Sequence, residues 1–170
     1  MADVNVLVVF YSRYGKAEKL ALAAGVGTIQ AHANIRLRRV ADLASPQMIE
    51  ADQEWTTQLD RMNMDYVVPR PADPVWADVI VLATPAESSQ ELERYVGSLS
   101  SLGSMAGKIA APLAVTDDES RLKAMYAAAA AAGLIVVPAP SDSHDAIAGA
   151  RAHGQRVAQM ARALKSADAR

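Results

Sequence analysis

The run YSRYGKAEK, from Tyr11 to Lys19, gathers residue types that hold an oxyanion. Ser12 brings a hydroxyl donor, Gly15 admits a close backbone approach, and Arg13, Lys16 and Lys19 bring positive charge, with Tyr14 and Ala17 between them. The run separates an apolar stretch from a helical pattern. It therefore falls at a helix N-terminus, where unpaired backbone N–H groups and the helix dipole favour an anion. The chemistry on offer is the binding of a phosphate group, although the same residues also make a serine-capped helix start with a tight turn and surface lysines. A second group is acidic: Glu87, Asp117, Asp118, Glu119, Asp142 and Asp145. A carboxylate within about 4 to 6 Å of a phosphate opposes its binding, whereas an acid at a helix start answers the dipole and needs no ligand. Asp117, Asp118, Asp142 and His144 carry donors that suit a hard divalent ion, but their spacing dictates no coordination shell and no metal is assigned. The chain has no cysteine, which removes disulfides, thiolate metal sites and cysteine nucleophiles from consideration.

These groups need a scaffold that brings separate loops together. Residues 4–10, 78–83 and 109–115 are nearly continuous apolar runs, the pattern of strands covered on both faces, and 134–137 is a shorter run of the same kind. Residues 35–40 alternate apolar with basic side chains, as an edge strand does. Helical spacing covers 16–31, 89–101, 118–132 and 145–165, with Gly133 ending the third of these. The order βαβ followed by three βα units implies right-handed crossovers and an α/β fold. The sheet is expected to be doubly wound, five-stranded and parallel, ordered 2-1-3-4-5, with helices on both faces.

Ligands bind such sheets outside the carboxyl ends of the strands, where the strand order reverses. Thr84, Pro85, Ala86 and Glu87 after the third strand, and Thr116 after the fourth, therefore join the first loop as candidate binding residues. Pro112 lies within the fourth strand and predicts a bulge or a frayed start. The segment 44–77 breaks the alternation, and its prolines predict one short helix and an extended connection. Such a segment either covers a sheet edge or serves as an oligomer interface or lid anchored by Trp55, Trp76 and the methionines.

With 51% hydrophobic and 21% charged residues, the 170 residues suit one compact domain spanning 1–170, with 44–77 as an insertion-like segment. A net charge of -2 with scattered basic residues argues against nucleic acid and against an anionic membrane as partners. The first apolar run is too short for a membrane span and lacks the flanks of a signal peptide, so a cytoplasmic protein is expected.

The first loop after VLVVF resembles the phosphate loop of the tryptophan-repressor-binding-protein family, flavodoxin-like NAD(P)H:quinone oxidoreductases that bind FMN and assemble as dimers or tetramers. DVIVLATPAES is similar to that family's third strand and loop, GKIAAPLAV to its fourth strand and AAGLIVVP to its fifth. The resemblance implies a flavodoxin-like fold, FMN as cofactor, two-electron transfer from a nicotinamide to a quinone, and a homo-oligomer. Carried over by position, Ser12, Arg13, Tyr14, Gly15, Lys16 and Ala17 would surround the FMN phosphate, with Tyr14 also near the nicotinamide or quinone. Lys19 stands where the family has a hydroxyl residue.

Elsewhere the likeness thins. The family's arginine and aromatic against the flavin are replaced by Ala86, Glu87, Ser88 and Ser89, and its Gly-rich loop after the fourth strand by Thr116, Asp117, Asp118, Glu119 and Ser120. Its quinone-pocket histidines and tryptophan correspond to Ala131, Ala132 and Ser100. Three readings follow: an FMN-dependent quinone reductase, a cofactor-free binding or assembly module of the same fold, or a protein that retains a smaller phosphorylated ligand.

Overall fold

The computed structural model describes residues 2–115, 119–139 and 145–169. Strands β1 (Asn5–Phe10), β2 (Asn34–Arg39), β3 (Val79–Thr84), β4 (Ile109–Ala114) and β5 (Ile135–Val136) form one sheet in the order β2-β1-β3-β4-β5. All four pairings are parallel. The helices are α1 (Lys16–Gln30), α2 (Pro46–Glu50), α3 (Gln53–Asp65), α4 (Ala72–Trp76), α5 (Gln90–Ser98), α6 (Glu119–Ala131) and α7 (Ala146–Asp168). The expected flavodoxin-like topology is thus the observed one.

Side chains alternate across a strand, so the unbroken apolar run of β1 feeds two cores at once. Val6, Val8 and Phe10 pack with α1, α7 and Met62 of α3 on one face. Leu7, Val9 and Tyr11 pack with Leu92 and Val96 of α5 and Met125 of α6 on the other. Helices α1 and α7 meet backbone to backbone. A Cβ on Gly27 would stand 1.9 Å from the Arg151 carbonyl oxygen, and one on Gly154 would stand 2.1 Å from that of Ala24. Only glycine fits either position, and this close crossing fixes where the N-terminus of α1 points.

Pro112 is neither bulged nor frayed. It pairs in register with Leu82 in the middle of β4. Ile109 and Val115 donate their N–H groups toward β3, to Asp78 and Thr84, so by alternation the nitrogen of Pro112 faces the β5 side. There Val137 makes the last ladder bond, donating its N–H to the Ala110 carbonyl, and Pro112, with no N–H for the next one, falls where the pairing of β4 with β5 stops.

The segment 44–77 holds three helices, not the single one its prolines predict. Pro46 occupies the first turn of α2 behind the Ser45 cap, and Asp52 caps α3 by accepting from the Trp55 N–H. Both are ordinary helix starts. The segment covers the β2 edge and packs inward. Asp73 of α4, 1% exposed, receives Arg36 and Arg38 of β2, and Arg36 lies 4.1 Å over the Trp76 ring. Burial opposes the charge of Asp73, but Arg38, the Arg70 N–H and Arg36 together hold its carboxyl below the usual range. Trp55 is buried and Trp76 half-buried under Arg36.

Candidate anion and cofactor site

The loop from Tyr11 to Gly15 leaves the centre of the sheet and turns at once into α1. Gly15 makes the turn with φ 88°, a left-handed conformation that disfavours any side chain. Its N–H donates to Ser12 Oγ at 3.0 Å, which leaves the Ser12 hydroxyl proton available to a ligand. Ser12 and Ala17 are buried in the loop's base. Lys16 and Lys19 are exposed on the first turn of α1.

The helix starts differ in a way the sequence did not announce. Helix α3 is capped by Asp52 and helix α7 by Asp145, whose carboxylate accepts from the N–H groups of Ile147 and Ala148. At α1 the N-cap is Gly15, and no side chain caps the helix. The acid in its first turn, Glu18, lies beside Gly15, where a Cβ would stand 3.5 Å from its Oε2, and is fully engaged. Its carboxylate takes a bidentate pair from Arg61 at 2.9 and 2.6 Å and a hydrogen bond from the Tyr66 hydroxyl at 2.5 Å. Burial alone would raise the Glu18 carboxyl, but Arg61 and Tyr66 hold it below its usual range. The charge nearest the helix start is thereby cancelled, and the first-turn amides remain open to an anion.

Arg13 and Tyr14 are engaged elsewhere. The Arg13 guanidinium lies 4.2 Å over the Trp55 ring and donates through Nε to the Tyr11 hydroxyl. The Tyr11 hydroxyl in turn donates to Asp42, which also accepts from Trp55 Nε1 and pairs with the buried Arg39. Burial pushes the Tyr11 hydroxyl up, and it stays protonated across the physiological range. Tyr14 donates to Asp52 at 2.7 Å, and that bond raises the phenol further. Both side chains expected around a phosphate therefore tie the loop to α3 and to the turn before α2. Asp42, Arg39, Arg61 and Tyr66 were not legible as neighbours of this loop, because they arrive from β2, from the turn after it and from the segment 44–77.

On its other flank the loop opens onto a cavity of about 920 Å³, within the range of small-molecule sites. Lys16 and Lys19 form one wall, Leu113 to Val115 at the end of β4 form the floor, and α6 and the start of α7 close the far side. The other sequence candidates lie apart from it. Thr84 and Pro85 are buried beneath the surface, where Thr84 Oγ1 donates to the Ser88 carbonyl, and Ala86 and Glu87 are exposed. Ser88 donates to Glu91. Thr116 and the acidic group Asp117, Asp118, Asp142 and His144 lie outside the described residues. Among the described residues no cluster of His, Asp or Glu is placed to hold a metal ion, and no helix is long and apolar enough to cross a membrane.

As a fit for FMN, the site divides in two. The phosphate end has what the group needs: a left-handed glycine, a serine hydroxyl, an uncapped helix start and two free-standing lysines. The loop after β3 has no aromatic side chain to stack on a flavin and carries an exposed acid in Glu87.

Among solved structures the chain is similar to a flavodoxin from the domain Archaea, with a TM-score of 0.65, 13% identity, and coverage of 94% of this chain and 99% of that one. It is also similar to the diflavin flavoprotein A3 from Nostoc, with a TM-score of 0.63, 11% identity, and 99% of both chains covered. The class is thereby defined as flavodoxin-like. Within that class the chain resembles the NAD(P)H:quinone oxidoreductases. It is 26% identical over 148 residues to an NAD(P)H dehydrogenase (quinone) of Deinococcus radiodurans, covering 81% of this chain and 74% of that protein. A Brucella anthropi protein of the same name is 32% identical over 81 residues, which span 48% of this chain and 38% of the relative. No family model matches the chain.

Proposed function

We propose that this chain is an FMN-dependent oxidoreductase of the quinone-reducing kind that seats the flavin phosphate at the start of α1. The observation that carries the reading is that α1 has no side-chain cap and holds two exposed lysines at its start, whereas α3 and α7 are closed by aspartates and the likewise uncapped α4 and α5 have no lysine there. It is supported by the names of the two relatives and by flavodoxins among the structural neighbours. The amides of the first turn and the Ser12 hydroxyl bind the phosphate oxygens, and Lys16 and Lys19 offset their charge. Asp52 holds Tyr14 beside the loop as a fixed hydroxyl. Bound flavin supplies hydride acceptance and two-electron delivery, and the protein's part is to hold and orient it. One domain over residues 1–170 and a homo-oligomeric assembly belong to the same proposal, the latter checked by light scattering.

The test is the visible absorbance of the purified protein before and after incubation with FMN and desalting. Retained flavin bands, followed by NAD(P)H oxidation with a panel of quinones, are the expected result. A colourless protein that also gives no heat with FMN in calorimetry removes the reading. A second reading has one observation in its favour, the absence of an aromatic from the loop after β3. On that reading the fold has lost its flavin and serves as a binding or assembly module, and the colourless outcome selects it.

A further inference from the structure

The loop after β3 is where a flavodoxin-like comparison would put the ligand's ring, yet its groups are spent or unsuited. Pro85 is buried, Thr84 and Ser88 hydrogen bond within the turn and to Glu91, and Glu87 presents a carboxylate. The cavity on the opposite flank has the complementary character. Its walls include Leu20, Leu113, Val115, Leu122 and Ile147, and its one aromatic among the described residues is Tyr126 of α6. We propose that the apolar body of the bound anion lies in this cavity between α1, α6 and α7, with its ring against Tyr126, and not over the loop after β3.

The polarity of the cavity sets the ligand's direction. At the α7 end Asp145 already occupies the first-turn amides. At the α6 end Glu119 pairs with Lys123 at 3.4 Å. The open helix start and the two lysines at α1 offer a phosphate an anchor, and a planar body directed away from them runs along the β4 floor toward Tyr126. Tyr126 is half-buried, with an apolar ring face for stacking and a hydroxyl for a heteroatom at the ring's edge. Burial, with Glu119 nearby, raises this phenol and keeps it a donor. The ligand class is a planar aromatic phosphate, of which FMN is a member. The placement rests on the phosphate reading above, but it predicts a different stacking residue from the one the resemblance would supply.

Fluorescence titrations of the full chain with FMN, and separately with anilinonaphthalene sulfonate as a flavin-free aromatic anion, test it. Wild type is compared with Tyr126→Ala, Tyr126→Phe and Glu87→Ala, each first shown by circular dichroism to keep its fold. Tyr126→Ala is expected to weaken FMN by about tenfold and to abolish quenching of its fluorescence, Tyr126→Phe to weaken it by about threefold with quenching kept, and Glu87→Ala to stay within about twofold of wild type. If FMN binds and Tyr126→Ala leaves it unchanged, the placement is overturned while the flavin reading survives. If FMN does not bind but the sulfonate binds in a Tyr126-dependent way, the placement stands and the flavin reading is lost. If neither probe binds, both fall.

Discussion

The two flanks of the first loop are built on opposite plans. Toward β2, every long side chain is committed: Tyr11, Arg13, Arg39 and Trp55 converge around Asp42, Tyr14 is tied to Asp52, and Glu18 is held by Arg61 and Tyr66. Toward β4 and β5, Lys16 and Lys19 stand exposed above apolar walls. A dense polar network rigidifies its surroundings even though Arg39 Nε has no partner among the described residues, whereas exposed donors beside an apolar cavity are the makings of a binding site. The contrast teaches that the loop's most conspicuous residues, Arg13 and Tyr14, tie it to its neighbours, while its plainer lysines are left exposed beside the cavity.

The largest way to break this arrangement is at the crossing that aims α1. Gly154→Ala drives a methyl group against the Ala24 carbonyl, and a loss of about 4 kcal/mol in urea denaturation is expected, near the top of the range for overpacking. Asp42→Ala strikes the committed flank directly. It strands the buried Arg39 and the donors of Tyr11 and Trp55, at a cost of about 3 kcal/mol, and Asp42→Asn should recover part of it.

A third effect comes from acid. His153 of α7 is 1% exposed and neither ring nitrogen has a hydrogen-bond partner, although the Val137 carbonyl slightly favours its protonated form. Burial first, and then Arg156, pushes its pKa from 6.5 down to about 4. The unfolded chain therefore takes up the proton at higher pH than the folded one. Stability that is complete above pH 6.5 is lost as the pH falls toward 4, by about 2 kcal/mol between pH 7 and pH 5. Urea midpoints at the two pH values measure this, and His153→Leu should flatten the dependence. The carboxylates held low, Glu18 and Asp73, contribute stability that is fully present above the ordinary carboxylate range and is lost only as the pH falls through and below it.

Smaller effects sharpen the comparison. Arg61→Lys replaces the bidentate pair on Glu18 with a single contact. Because Arg61 is 44% exposed, less than about 1 kcal/mol of stability should go, with FMN affinity nearly unchanged. Lys16→Ala and Lys19→Ala should leave stability alone and weaken FMN by about threefold each, with a shallower salt dependence of binding. Should Arg61→Lys move FMN affinity more than the lysine variants do, the division of labour between the flanks is wrong.

The sheet was legible because each buried strand is a run of β-branched and apolar residues between clear helix starts. Residues 78–83 and 109–115 fall within a residue of β3 and β4. The segment 44–77 was less so, since its prolines read as breakers where Pro46 in fact opens a helix. Of the site, the sequence marked the loop itself through Gly15 and Ser12, and the left-handed turn and the Ser12 acceptor follow that reading. It did not mark which flank would be free. That depends on Asp42, Arg61 and Tyr66 arriving from 31 to 48 residues away, a pairing that no local pattern encodes.

The proline in β4 has a further consequence. The ladder between β4 and β5 closes with Val137 donating to the Ala110 carbonyl, and Pro112 has no N–H with which to extend it. A strand end that presents one donor fewer is a poorer template for a foreign strand.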